Sequence, residues 1–280
     1  IVSLTCDRKN YLETNSLRLQ KKLKMPKFEI NKSGIDAIKE FINKGSNVLL
    51  RKRLKDLHYA DIAEVIYELS TEQATYLVKL LDSEKTADAL AEVDEDIRER
   101  ILDKLSAKEI AEEIEELDTD DAADLISELP EDRQEIVMSQ ITDSDHVEDI
   151  RELLTYNENT AGGLMAKELV KVEENLSVLK CLNAMRAQAE EVTRVHSIYV
   201  VDEHNILKGR LSLKDLITAN SRAIVKDIYI PQVDAVSIDQ PGEEVADIMS
   251  KYDLEAIPVV DNKKQLMGRI TIDDIVDLIK

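Results

Sequence analysis

SIYVVDEHNILKGRLSLKDLI, residues 197–217, is followed at a fixed offset of 59 residues by AIPVVDNKKQLMGRITIDDIV, residues 256–276. Ile198 corresponds to Ile257, Val200-Val201-Asp202 to Val259-Val260-Asp261, Gly209-Arg210 to Gly268-Arg269, and Asp215 to Asp274, with no insertion anywhere. A duplication this regular predicts two copies of one unit that pack on each other. Within each copy, IYVV or IPVV is a short apolar run suited to a buried strand, and DEHN or DNKK is turn material. ILKGRLS then alternates as a second strand. Ser212-x-x-Asp215 and Thr271-x-x-Asp274 have capping-box spacing for a following helix.

An amphipathic helical pattern precedes each copy, around LSVLKCLNAMRAQ and EEVADIMSKY. The unit is thus β–α–β–β–α, and from about Gly163 to the end the chain resembles a tandem CBS pair.

Length, charge and cysteine usage bound the remainder. A chain of 280 residues holds two or three domains with cores of their own. Cys6 and Cys181 stand far apart, which argues against a disulfide framework or a zinc cluster and for a reducing compartment. The four histidines have no ligand spacing, and no window approaches a membrane span. Residues 1–27 hold seven Lys/Arg and two Asp/Glu, whereas residues 84–158 hold 27 Asp/Glu and seven Lys/Arg, nearly the whole formal charge of −21. Such a field repels nucleic acid and attracts cations. The chain begins without Met and stops at Lys280 within a helical pattern, so it reads as a soluble fragment of something longer.

From Leu54 onward, apolar residues recur every twelve positions. One column is Leu54, Ile66, Val78, Leu90, Leu102, Ile114, Ile126, Met138 and Ile150. A second, three residues on, is Leu57, Leu69, Leu81, Val93, Leu105, Leu117, Leu129, Ile141 and Leu153. Twelve residues suffice for a helix of about two turns and a tight connection. The paired columns predict one apolar ridge per helix. Helices this short need stacked neighbours. Pro130 falls at a unit boundary, where a helix restarts. The fold expected is multidomain: an all-α, right-handed, short-helix superhelical solenoid followed by the α/β CBS pair. Its parts are a basic arm or leader (1–34), the acidic helical domain (35–155), a hinge with the first CBS unit (156–225) and the second CBS unit (226–280). Between solenoid and CBS pair, Asn-Glu-Asn-Thr and Gly162-Gly163 break the helical pattern. Their plain reading is a hinge in which glycine supplies free dihedrals.

A short acidic helical repeat, an AGGLM junction (161–165) and a CBS pair in this order resemble the cytosolic region of the MgtE family of magnesium transporters, over roughly residues 35–280. The resemblance implies a membrane channel that follows the second CBS unit through a connecting helix. It also implies a place on the cytoplasmic face of the membrane, and a CBS-mediated homodimer.

Mg2+ takes hard oxygen ligands, keeps several waters and is held by one or two carboxylates, so folding must bring carboxylate pairs together. Asp120 and Asp124 are i, i+4 on one helical face beside Asp121, and Asp88 lies three periods earlier. Asp273, Asp274 and Asp277 cluster in the terminal helix. By resemblance, the ligands expected are Asp88, Asp120 and Asp124 on the solenoid and Gly163 through its carbonyl. Asp253, Asp274 and Asp277 on the second CBS unit complete them, with Glu243 as a further candidate. For any one of these carboxylates the plain reading is a solvated surface or a helix cap.

The CBS motif Gly-x-x-Ser/Thr-x-x-Asp occurs as Gly209…Ser212…Asp215 and Gly268…Thr271…Asp274. It makes ATP or another adenine nucleotide the secondary ligand, with Ser212 and Asp215 at the ribose. Against it, Ser197 and Ala256 stand where an aromatic residue would stack on the base, and basic residues for a triphosphate are lacking. No nucleophile elbow, P-loop or Cys–His arrangement is present, so no enzyme is read. The rival to a magnesium-gated channel regulator is an acidic scaffold that docks a basic protein while the CBS pair senses nucleotide.

Overall fold

A computed structural model describes residues 30–189, 192 and 194–279; the side chains of Asp277 and Ile279 are outside the description. Most of the basic arm expected over residues 1–34 also lies outside it. Among the described residues, ten helices form the first part: α1 (Lys32–Asn43), α2 (Asn47–Leu54), α3 (Tyr59–Tyr67), α4 (Thr71–Leu80), α5 (Ser83–Ala91), α6 (Glu95–Leu102), α7 (Ala107–Ile114), α8 (Thr119–Ser127), α9 (Glu131–Met138) and α10 (Ser144–Leu153).

Each twelve-residue unit is built from three positions. The N-caps of α3 to α9 are His58, Ser70, Asp82, Asp94, Ser106, Asp118 and Pro130, one every twelve residues. Every residue of the first apolar column is at most 5% exposed, and each lies in the last turn of its helix. The second column departs from expectation. Apart from Leu153 its members lie just beyond their helices, so the two columns do not form one helical ridge. Instead the second residue of the pair folds back over the helix end. Leu57, Leu69, Leu105, Leu117 and Leu129 each donate their amide to the carbonyl three residues earlier, at 3.0–3.2 Å. This closes the last turn and brings a second apolar side chain to the core. Helices then stack on alternate neighbours, with α3 on α5, α5 on α7, α4 on α6, α7 on α9 and α8 on α10.

The duplicated half forms two sheets of three strands. β1 (Val170–Glu173), β2 (Ile198–Val201) and β3 (Leu207–Leu211) make one, and β4 (Val236–Ser237), β5 (Ala256–Val260) and β6 (Leu266–Thr271) make the other. In both, the first strand is parallel to the second and the second antiparallel to the third. Helices α11 (Val178–Gln188) and α12 (Leu213–Thr218) belong to the first unit, α13 (Gly242–Tyr252) and α14 (Ile272–Ile279) to the second. The hairpin turns repeat in detail. Asp202 and Asp261 accept from backbone amides two and four residues on, and Asn205 (φ 60°) and Lys264 (φ 66°) take the left-handed conformation. Each unit's third strand is edged by the segment that leads into the other, through Ala166–Arg269 and Arg210–Ile230 pairs. That crowding explains the motif glycines. A Cβ on Gly209 would lie 2.0 Å from the Ile230 carbonyl oxygen, and one on Gly268 would lie 2.6 Å from that of Ala166.

The hydrophobic core runs unbroken from the solenoid through Ala161 and Met165 into the second CBS unit, at Val236, Val245, Met249, Ile257 and Ile275. The first unit has a separate core around Val170, Cys181, Ile198 and Leu216. Gly162 and Gly163 therefore do not serve as a source of free dihedrals. Neither has positive φ. A Cβ on Gly162 would meet the Tyr156 ring at 2.8 Å, and one on Gly163 the Asn157 carbonyl oxygen at 2.4 Å. The amide of Gly162 donates to Ile238 O at 2.9 Å, which ties the pair to the second CBS unit. Close packing selects glycine here.

Candidate interdomain cation site

Helix α8 begins TDDAAD, and its first turn faces the second CBS unit. Asp120 and Asp274 are half-buried there, while Asp121 and Asp124 keep access to water although neighbouring atoms crowd them. Burial raises the Asp120 carboxyl well above the usual carboxylate range, and the negative charges of Asp274, Asp121 and Asp118 add to it. Burial, then Asp274 and Asp124, push Asp121 up to about 7. Asp124 rises to about 6 through burial, restrained by the Arg98 guanidinium and raised further by Glu128, Glu158 and Asp274. Burial also raises Asp274, which accepts the Thr271 amide at 2.7 Å. Like charges have thus been collected across a domain boundary with too few cations to offset them.

Asp88 on α5 belongs to the same field. Burial and Asp118 raise its carboxyl, and it acts in turn on Asp121. Burial raises the Tyr59 hydroxyl at the start of α3, and the charges of Glu92, Asp88, Asp273 and Asp121 add to it. A cleft of about 280 Å³ is lined by Asp124, Ser127, Tyr156, Asn157, Glu158 and Gly163 among others. The structure thereby places Asp88, Asp120, Asp124, Gly163 and Asp274 around one interface. Glu243, in the first turn of α13, and Asp253, its left-handed C-cap (φ 53°), are exposed. Neither is among the charges that act most strongly on Asp120, Asp121, Asp124 or Asp274. The Asp277 side chain is outside the described residues.

Among the described residues, no three His, Cys, Asp or Glu side chains converge as a ready-made metal cage. A hydrated Mg2+ does not need one, since it keeps most of its waters and takes one or two carboxylates. Asp274 acts electrostatically on Asp120, and Glu158 on Asp124, and either set could supply the one or two carboxylates such an ion takes. Glu158 was missed in the sequence because it stands in a turn with no period.

Direct contacts flank these carboxylates. Arg269 on β6, 7% exposed, donates to Asp118 Oδ2 at 3.0 Å and to Glu168 O at 2.7 Å. Glu168 accepts from the Thr119 amide and hydroxyl at 3.2 and 2.9 Å. Lys167 pairs with Glu152 on α10 at 2.7 Å.

In the nucleotide motif, the Ser212 hydroxyl donates to Asp215 at 2.6 Å and accepts the Asp215 amide at 3.0 Å, a helix cap. A small cavity of about 10 Å³ lies elsewhere, between the CBS units, bounded by Arg194, His196, Ser197, Tyr199 and Arg269. Ser212 and Asp215 do not line it.

The family described as MgtE intracellular N domain matches residues 57–159, and the CBS domain matches residues 161–222 and 225–280. A "Magnesium transporter MgtE" from Thermus thermophilus is 44% identical over 125 residues, 45% of this chain and 28% of that protein. One from Enterococcus faecalis is 36% identical over 126 residues, again 45% of this chain and 28% of the relative. The matched stretch is therefore little over a quarter of the length of either relative. A solved cytosolic domain of the Mg2+ channel MgtE in complex with ATP superposes with TM-score 0.81 at 34% identity, covering 87% of this chain and 99% of that one. The soluble part of a magnesium transporter gives 0.77 at 28% identity, covering 88% and 96%.

Proposed function

The chain belongs to the MgtE family, and from that premise we propose that it is the cytosolic magnesium-sensing region of a magnesium transporter, which closes an attached pore when Mg2+ is abundant. The observation that carries this reading is that the Asp274 charge of α14 acts on Asp120 and Asp121 of α8 across a domain boundary that the Asp118–Arg269 pair spans at 3.0 Å. Facing carboxylates repel, so the closed arrangement is costly when they ionise unpartnered. Hydrated Mg2+ between them reverses the sign of that interaction. A ligand shifts an equilibrium through its differential affinity for the two states, and a site shared between domains exists whole only when they are closed.

Asp88, Asp120, Asp124 and the Gly163 carbonyl would serve from the solenoid side and junction, and Asp274 and Asp277 from α14. Glu243 and Asp253 would serve a more exposed site on α13. Because Gly162 is bonded into the second CBS unit, the solenoid would swing about the connection before it, near Thr155–Asn159.

Two further elements of the reading have their own support. The duplication makes Leu213 and Ile217 of α12 equivalent to Ile272 and Val276 of α14, and all four are 42–66% exposed. Two matched helices with exposed apolar residues suit a C2 homodimer through the CBS pair. An adenine nucleotide between the CBS units is supported by the relative solved with ATP. Tyr199, whose buried hydroxyl has no partner among the described residues, and the cationic Arg194 mark the cleft for it.

Mn2+ is the spectroscopic probe. Titrated into the wild-type chain, it loses its free-ion paramagnetic signal as it binds, and excess Mg2+ restores the signal. The combined variant Asp120→Asn, Asp274→Asn should bind fewer ions. Equal binding by both proteins would contradict the site.

A further inference from the structure

We propose that Arg269 is a tethered cation that latches the solenoid to the second CBS unit without metal, and so lowers the Mg2+ concentration at which the assembly closes. The inference rests on the closing motion proposed above, and it assigns part of the closing force to the chain itself.

The argument begins at the N-cap column. Ser70 and Ser106 turn their hydroxyls onto their own helices. Asp118 occupies the same position before α8 and makes no such bond; its carboxylate reaches Arg269 at 3.0 Å instead. The cap that α8 lacks comes from the other domain. Glu168 accepts both the Thr119 amide and its hydroxyl, which sets a carboxylate at the positive end of the helix. The Thr119 hydroxyl in turn accepts the Lys167 amide at 2.8 Å. Arg269 joins the two halves, because its Nε–H holds the carbonyl of the same Glu168 at 2.7 Å.

The duplication supplies an internal comparison. Arg210 is the counterpart of Arg269 and is exposed, whereas Arg269 is buried against α8. The two arginines share a strand position, and they differ in having a solenoid to meet. A guanidinium at this boundary does by covalent attachment what a bound divalent ion does by mass action. It neutralises the acidic face next to Asp120, and it costs no ion-binding equilibrium.

Hydrogen exchange at the amides of Thr119 and its neighbours, read by mass spectrometry in EDTA and then over rising MgCl2, tests this. In EDTA the wild type should protect them in part, with Mg2+ completing the protection, and Arg269→Met should exchange roughly tenfold faster in EDTA, the scale of one part-buried charged hydrogen bond. The variant should need several-fold more Mg2+ to regain protection. Asp118→Asn, which changes the solenoid partner of the pair and leaves the CBS core untouched, should behave likewise if Arg269→Met folds poorly. Arg210→Met should match the wild type. Wild-type exchange and an unchanged Mg2+ midpoint in both latch variants would overturn the latch. If both variants exchange faster and no protein responds to Mg2+, the latch stands and the magnesium reading falls.

Discussion

Glu113 on α7 is 5% exposed, and its carboxyl receives the Thr86 hydroxyl at 2.7 Å. Burial raises it from 4.5 to about 7, with Glu112 and Glu116 adding to the rise. Its folded pKa lies above its unfolded one, so the folded chain holds the extra proton in between. Stability is fully kept below about 4.5, is lost as pH rises towards 7, and the penalty is complete above that. Glu113→Gln keeps the shape and removes the titration. It should raise stability at pH 8 by on the order of 2–3 kcal/mol and flatten the fall in thermal midpoint between pH 5 and pH 8. An unchanged slope would contradict the assignment. Gly163 poses a different question at the same scale. With the Asn157 oxygen 2.4 Å from its missing Cβ, Gly163→Ala should cost about 1–3 kcal/mol by overpacking. A free-dihedral hinge would instead be stiffened with little loss of stability, and thermal denaturation separates the two.

Among the elements, two caps at equivalent positions do different work. Ser106 closes a capping box with Glu109 on α7, and Ser106→Ala should lower stability by about 1 kcal/mol while leaving the domains docked. Asp118→Asn should do the reverse, because Asp118 holds Arg269 and not its own helix. Chemical denaturation together with exchange at Thr119 distinguishes them. The contrast also marks how far the chain could be read unaided. The twelve-residue columns and the 59-residue repeat named both architectures, since each period maps onto one backbone unit. The position of the second column beyond the helix ends was not legible. Three residues on is one helical turn whether or not the helix continues, and the spacing does not say which. Asp120 and Asp124 share a helical face and Asp88 lies three periods earlier, which singled them out in the sequence, whereas Asp274 entered through the family resemblance. Asp118, Glu168 and Arg269 were missed because their roles depend on a contact between residues 151 positions apart. Arg269 in particular looks like a plain copy of Arg210.

For the whole molecule, the core is continuous from the solenoid through the junction into the second CBS unit, while the first unit keeps its own core. The matched exposed residues of α12 and α14 predict that Ile217→Glu with Val276→Glu yields a monomer in sedimentation velocity where the wild type is a dimer. A dimer in both would place the interface elsewhere. The central claim concerns the acidic boundary, and small-angle X-ray scattering addresses it most directly, with MgCl2 titrated against NaCl at constant ionic strength. Screening acts equally in both series, so a difference between them reports specific binding. The account predicts that the radius of gyration falls over millimolar Mg2+ and not in the sodium series, and that Asp120→Asn with Asp274→Asn abolishes the fall. Coincident curves for magnesium and sodium would contradict it.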